Sequence, residues 1–101
     1  MELKDLEARM HAFVEAQGWY APDSPKEQSP RNLAISLVLE ATEVLEHFQW
    51  REEARERDAL AGELADVALY LLQLASISGI DLEQAVLEKL EENLGREWPP
   101  P

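Results

Sequence analysis

Two pairs of acidic residues stand out because their neighbours in the sequence are apolar. Glu40 and Glu43 lie in the stretch PRNLAISLVLEATEVLEHFQW, and Glu63 and Asp66 repeat the same spacing in ELADVALYLLQLA. If both stretches are helical, each pair lies one turn apart on one face, among the apolar side chains. Because burying an unpaired charge is costly, carboxylates that face a core need a partner.

A divalent cation is the simplest partner for four carboxylates on adjacent helices. Oxygen ligands in this arrangement suit Mg²⁺, with Mn²⁺ as a substitute, and such ions share their coordination with substrate phosphates. The pattern predicts a phosphate-binding metal site with Glu40, Glu43, Glu63 and Asp66 as metal ligands.

A di-iron carboxylate bundle is the main alternative for acids inside four helices. Such a bundle carries Glu-x-x-His on two of its helices. The residues three places before His47 and His11 are Val44 and Ala8, so that motif is absent. Both histidines are therefore expected to have structural or surface roles.

Aromatic and cationic side chains are the next candidates, as substrate contacts. Trp50 follows Glu43 by two helical turns and could stack on a base, although packing is the alternative for any single tryptophan. Lys89, Asn93 and Arg96 share one helical face through their i, i+4, i+7 spacing. This strip indicates either a phosphate grip or charges that complement the C-terminal end of a helix dipole.

Four helices are needed to position these residues, and the apolar periodicity predicts four. They are expected at Leu3–Gln17, at Pro30–Trp50, from Arg57 or Asp58 to Gly79, and from Asp81 to a Pro-rich tail at 99–101. Ser29 supplies a capping hydroxyl for the second helix, and Asp81 with Gln84 resembles a capping box. The third helix is apolar on nearly all sides, which predicts that a partner chain helps to cover it. The fold class is therefore an all-α, four-helix bundle, one domain over residues 1–101.

The composition excludes several other classes. The chain has 101 residues, and 21 acidic against 9 basic side chains give a net charge of −12, which argues against binding a nucleic-acid polymer. It has no cysteine, so disulfides and thiolate metal sites are excluded. No signal-peptide core is visible, and no uninterrupted apolar run reaches the roughly 18–20 residues of a spanning helix. A cytoplasmic protein with no membrane partner is expected.

These motifs together resemble the MazG-like all-α nucleoside triphosphate pyrophosphohydrolases, particularly their short dCTPase-like branch. The resemblance covers nearly the whole chain and includes E-x-x-E followed by E-x-x-D, the EHFQW ending, and K-x-x-x-N-x-x-R. It implies a homodimer or a homotetramer built as a dimer of dimers. It also implies Mg²⁺-dependent hydrolysis of (deoxy)nucleoside triphosphates to the monophosphate and pyrophosphate, as nucleotide-pool house-cleaning. In that reaction the catalytic residues are the four acids Glu40, Glu43, Glu63 and Asp66. One of them would accept a proton from the attacking water, and the sequence does not say which. The substrate contacts that the resemblance implies are Trp50 and Tyr70 for the base, with Phe13 and Trp19, and Lys89, Asn93 and Arg96 for the phosphates.

Three departures from the family pattern leave the preferred base open. Met10 stands where the branch has a histidine, the loop WYAPDSPKEQSPRN is longer and lacks another histidine, and REWP replaces R-Y-P. The number of metal ions and the choice between dimer and tetramer also stay open. Two other classes of function are alternatives: a non-enzymatic helical interaction module with solvent-facing acids, and a nucleotide sensor that binds without turnover.

Overall fold

The chain forms four helices and no strands, as predicted. The computed structural model describes residues 1–101. The helices are α1 (Leu3–Ala16), α2 (Pro30–Glu46), α3 (Arg57–Ile77) and α4 (Leu82–Leu94).

Two helix starts are fixed by the predicted side chains. The Ser29 hydroxyl accepts a hydrogen bond from the Asn32 backbone N–H at 3.2 Å, and a proline follows at the first helical position. Asp81 accepts from the Gln84 backbone N–H at 3.1 Å. The Gln84 side chain bonds along α4 instead of returning to Asp81, so only half of the expected capping box forms.

The predicted end of α2 at Trp50 is wrong, because the helix ends at Glu46. The next residues form tight turns in which each backbone N–H reaches back three residues, as in the 3.2 Å bond from His47 to Val44. The His47 carbonyl then accepts from the Arg55 N–H at 3.2 Å, and Trp50 has a left-handed φ of 69°. The chain thus turns away where the buried His47 side chain meets α3.

α3 is the helix on which the others pack. α2 makes the most extensive contact with it, α1 a smaller one and α4 the least. By length and composition alone α3 could cross a membrane, yet in this fold the same helix is the centre of the bundle. The buried apolar core consists of Met10, Val14, Leu33, Leu72 and Ala75.

One copy of the chain leaves much apolar surface uncovered. Only seven of the 101 residues are buried, and none of them is in α4. The radius of gyration is 16.4 Å, against about 13 Å for a compact domain of 100 residues. Leu64 and Leu71 on α3 are about half exposed. The fold therefore positions its helices without closing a full core around α3.

Candidate active site

The four predicted carboxylates lie at the seam between α2 and α3. Burial raises the pKa of Glu40, and the next contribution comes from Glu43, by its charge and by hydrogen bonding to the protonated form. Asp66 and then Glu63 raise the same pKa further through their charges. Because like charges have this effect only at short range, all four acids belong to one electrostatic cluster.

Only half of this cluster faces the interior. Glu40 and Glu63 are half-buried, whereas Glu43 and Asp66 are exposed. The expectation that all four carboxylates point at the core is therefore wrong for the second member of each pair. Glu43 and Asp66 lie at the open edge of the seam, which no other element of this chain covers.

Two carboxylate oxygens in the cluster are buried without a hydrogen bond. They are Oε2 of Glu40 and Oε2 of Glu63. Oε2 of Glu63 contacts Nε2 of His47, so Oε2 of Glu40 is the oxygen left without any partner. Native proteins rarely leave such atoms unpaired, and a cation would satisfy it. The donor set consists of hard oxygens, which fits Mg²⁺. Within one chain, however, no three acidic or histidine side chains form a preformed metal-ligand set.

His47 is a part of this site that the sequence reasoning missed. Its side chain is buried, at 8% exposure, and its Nε2 atom contacts Oε2 of Glu63. Its Nδ1 atom is buried without a partner. The available signal was the spacing from Glu43, because residues i and i+4 share a helical face. His47 thus faces the acidic cluster from the end of α2.

A cavity of about 680 Å³ opens beside the cluster, between α1, the α1–α2 loop, α2 and α3. Asp66 lines it, and Tyr70 follows one turn further along α3. Phe13 and Trp19 also line it and meet edge to face, with ring centroids 5.6 Å apart. An apolar, aromatic cavity of this size suits a flat organic ring.

The tryptophans predicted to contact substrate are in different environments. Trp19 and Tyr70 line the cavity, as does Phe13. Lys26 is also at the cavity wall, with its ammonium 4.9 Å from the centre of the Trp19 ring. Trp50 is 95% exposed in the turn after α2 and does not line the cavity. The early end of α2 is the reason, because a longer helix would have kept Trp50 on the carboxylate face.

The three polar candidates on and just after α4 also lie away from the cavity of their own chain. Lys89 Nζ is 3.3 Å from Oε1 of Glu92, and both side chains are exposed. Arg96 stacks over the ring of Trp98 at 4.4 Å. Asn93 Oδ1 is buried without a hydrogen bond. Because α4 makes little contact with the rest of the bundle, this strip does not reach the acids within one chain.

A polar network at the far end of the cavity was not predicted. Gln73 donates from Nε2 to Gln28 Oε1 at 2.8 Å and to Tyr20 Oη at 3.3 Å. Tyr20 Oη lies 2.6 Å from His11 Nδ1, and His11 Nε2 lies 2.7 Å from Ser76 Oγ. The signal in the sequence was a single amide in an otherwise apolar part of α3, seven residues after the last acid. The network ties α1 and the long loop to α3.

Burial keeps the hydroxyl in this network protonated. It raises the pKa of Tyr20 above the usual 10.0, although the hydrogen bond from Gln73 acts in the opposite direction. Tyr20 is therefore a neutral phenol at physiological pH, able to donate one hydrogen bond while it accepts another.

A four-helix fold with one acidic pair on each of two facing helices, next to an aromatic cavity, defines an all-α carboxylate-site protein. The MazG-like family model matches residues 35–99, which is more than half of the chain. The chain belongs to the MazG-like family, and the resemblance inferred from its motifs is confirmed.

Individual relatives agree with this assignment. The chain is 38% identical over 104 residues to dCTP pyrophosphatase 1 of Rattus norvegicus and of Homo sapiens, over 93% of its own length. It spans 58% of the length of those relatives. A solved pyrophosphatase structure from Archaeoglobus fulgidus is 32% identical, with a TM-score of 0.77 over 90% of this chain and 87% of that chain.

Proposed function

We propose that this protein hydrolyses (deoxy)nucleoside triphosphates to the monophosphate and pyrophosphate. The observation that carries the proposal is the continuity between the acidic cluster and the aromatic cavity, because Asp66 belongs to both. A nucleotide placed there would have its phosphates at the acids and its base between the rings. Relatives named dCTP pyrophosphatase and pyrophosphatase support this reaction.

Mg²⁺ is the proposed cofactor, with Mn²⁺ as a substitute, and Glu40, Glu43, Glu63 and Asp66 are the proposed ligands. The unpaired Oε2 atom of Glu40, which lies in the same cluster as the other three acids, supports this assignment. When bound, such an ion neutralises phosphate oxygens and lowers the pKa of water.

The chain's own residues would divide the remaining work. Glu43 is the proposed acceptor of the water proton, because it is the exposed acid next to Glu40 and reaches solvent. Trp19 and Tyr70 would hold the base by stacking. His47 would keep the Glu63 carboxylate in place through their contact.

A homodimer, or a dimer of dimers, is the proposed assembly. Val38 and Leu45 on α2 are 63% and 68% exposed, and Leu90 on α4 is 53% exposed, which leaves broad apolar faces for a second copy. In such an assembly the α4 strip and Trp50 of one copy would reach the cavity of another. Light scattering after size exclusion tests this: Leu90→Glu is expected to shift the mass to that of one chain, and a native chain that is already monomeric contradicts it.

The direct test of the reaction is to incubate pure protein with Mg²⁺ and each dNTP and to measure pyrophosphate. Glu43→Gln is expected to lower kcat by about 100-fold or more, because proton transfer by a positioned group is worth that much. Glu53→Gln, an exposed acid in the α2–α3 loop, is the matched control and is expected to keep full activity. Release of inorganic phosphate in place of pyrophosphate, or full activity of Glu43→Gln, contradicts the proposal.

A melting scan with and without Mg²⁺ separates the alternatives, since a ligand raises the melting temperature only if it binds the folded state. A shift without pyrophosphate would indicate a sensor. No shift at all would indicate an interaction module.

A further inference from the structure

The orientation of the Gln73 amide follows from the hydrogen bonds around it. Gln28 Nε2 lies 2.8 Å from the Lys26 carbonyl oxygen. A carbonyl can only accept, so Gln28 directs its NH₂ group there and its Oε1 atom toward Gln73. Gln73 must then donate to Gln28 from Nε2, at 2.8 Å. The backbone of the loop thereby fixes which end of the Gln73 amide faces the network.

A second bond holds the same end. Gln73 Nε2 also donates to Tyr20 Oη at 3.3 Å, and Tyr20 in turn lies 2.6 Å from His11 Nδ1. Both amide hydrogens of Gln73 are thus used within the chain. Turning the amide by 180° would bring its oxygen against Oε1 of Gln28, which can only accept, whereas the Tyr20 hydroxyl could donate to either orientation.

The other end of the amide is left for a ligand. Gln73 is only 3% exposed and lines the cavity. Its Oε1 atom nevertheless has no hydrogen bond and is not fully enclosed by protein. Gln73 stands two helical turns beyond Asp66, about 10 Å along α3 at 1.5 Å per residue. A nucleotide with its phosphates at the acids would extend its base toward this oxygen.

We propose that Gln73 selects the nucleobase, by offering a fixed hydrogen-bond acceptor to bases that carry an exocyclic amino group. Cytosine and adenine present such an amine on the edge where uracil, thymine and guanine present a carbonyl oxygen. Gln28 acts as the positioning residue, because its oxygen prevents the amide from turning to offer its N–H to a carbonyl, and Tyr20 is a second contact of the same NH₂ group. This inference rests on the proposed function for the placement of the phosphates.

The matched ligand pair is dCTP and dUTP, which differ in an amine and a carbonyl at the base. Their α,β-imido analogues lack the bond to be cut, so calorimetric titration with Mg²⁺ gives equilibrium Kd values whether or not the chain hydrolyses nucleotides. The native chain is expected to bind the dCTP analogue about 10- to 100-fold more tightly, the usual effect of an acceptor left facing an acceptor. If the cavity takes only purines, dATP and dITP analogues provide the same contrast.

Two variants and one control separate selection from general damage. Gln73→Leu is expected to bring the two Kd values within about threefold, mainly by weakening dCTP binding. Gln28→Leu keeps Gln73 but removes the acceptor that fixes its amide, which can then turn and accept from the Tyr20 hydroxyl, so the ratio is expected to fall because dUTP binding improves. A merely destabilised site would not bind any ligand more tightly. Gln17→Leu, an exposed glutamine at the end of α1, is expected to keep the native ratio.

Several results would overturn the inference. The first is a native chain that binds the dCTP analogue no more tightly than the dUTP analogue. The second is a Gln73→Leu substitution that weakens the binding of both analogues equally. The third is a native chain that binds neither class of nucleotide. Pyrophosphate release is measured separately on dCTP itself. Failure of hydrolysis with the Kd pattern intact would contradict the proposed reaction and leave base selection by Gln73 standing.

Discussion

Replacing Glu40 with glutamine is expected to stabilise the protein when no metal is present. The Glu40 carboxylate has a buried oxygen without a hydrogen bond, and it lies near three other acids. Glutamine keeps the shape of the side chain but removes the charge, so it relieves both burial of the charge and repulsion. If the Glu40 carboxylate contributed to stability, the same substitution would lower the free energy of unfolding.

The magnitude follows from the lost charge, because glutamine keeps a polar atom at the buried position. Repulsion between two unit charges about 4 Å apart is worth about 1 kcal/mol in a water-like dielectric, and we take this lower end because Glu40 is only half-buried. A gain of about 1 kcal/mol in the free energy of unfolding raises Tm by roughly 4–8 °C in a domain of this size.

The pH dependence has a definite sign. The pKa of Glu40 is raised above 4.5 in the folded state, so the folded chain binds more protons than the unfolded chain as pH rises past that value. Stability of the native chain therefore falls across this window relative to Glu40→Gln. Below 4.5, where the group is protonated in both states, this difference is expected to vanish.

The assay is differential scanning calorimetry of both chains, at one protein concentration, from pH 4 to pH 8, with EDTA and then with Mg²⁺. Saturating metal at about 100 times its Kd stabilises a binding-competent chain by about 2.7 kcal/mol, so Mg²⁺ is expected to raise the native Tm above that of Glu40→Gln. The reasoning is refuted if Glu40→Gln melts lower than the native chain in EDTA at pH 7. It is also refuted if the difference between the chains does not change with pH.

Three further substitutions test the packing around the site. Leu33→Ala is expected to lower the free energy of unfolding by about 3 kcal/mol in urea titration, because it leaves a cavity at the most buried side chain of α2. A loss below about 1 kcal/mol would contradict the assigned core. Ser29→Ala is expected to cost about 1 kcal/mol by the same measurement, through the lost N-cap of α2, with Ser29→Gly closer to native. Trp50→Ala is expected to change the free energy of unfolding of the monomer by less than about 0.5 kcal/mol, because the ring is in solvent. A large loss in the monomer would mean that Trp50 packs within its own chain.

Local sequence rules were sufficient for the helices. Ser29, Pro30 and Asp81 mark helix starts through side-chain chemistry that acts within one turn, and the structure uses all three. The pairing of the acids could also be predicted, since E-x-x-E spacing places two carboxylates on one face wherever the helix packs. Periodicity alone, however, could not tell which acid of each pair faces the seam.

The parts that could not be predicted depend on contacts distant in the sequence. α2 ends at Glu46 although its pattern continues, and the next residue, the buried His47, contacts Glu63 on another helix. From its neighbours in the sequence, Gln73 is only one polar residue in an apolar helix. Its hydrogen-bond partners Tyr20 and Gln28 lie in a loop, 53 and 45 residues away in the sequence. No window of single-sequence periodicity spans such distances.

α3 links the two ends of the proposed site in a single rigid element. Asp66 and Gln73 stand two turns apart on one face of a continuous helix, so the spacing between the acidic cluster and the base-facing acceptor is set by helix geometry and not by the loop. The long α1–α2 loop has the separate task of fixing the Gln73 amide through Gln28 and Tyr20. Changes in that loop can therefore alter which base is accepted while the acids keep their place. One of the three departures from the family pattern lies in this loop, whereas E-x-x-E and E-x-x-D are retained in full.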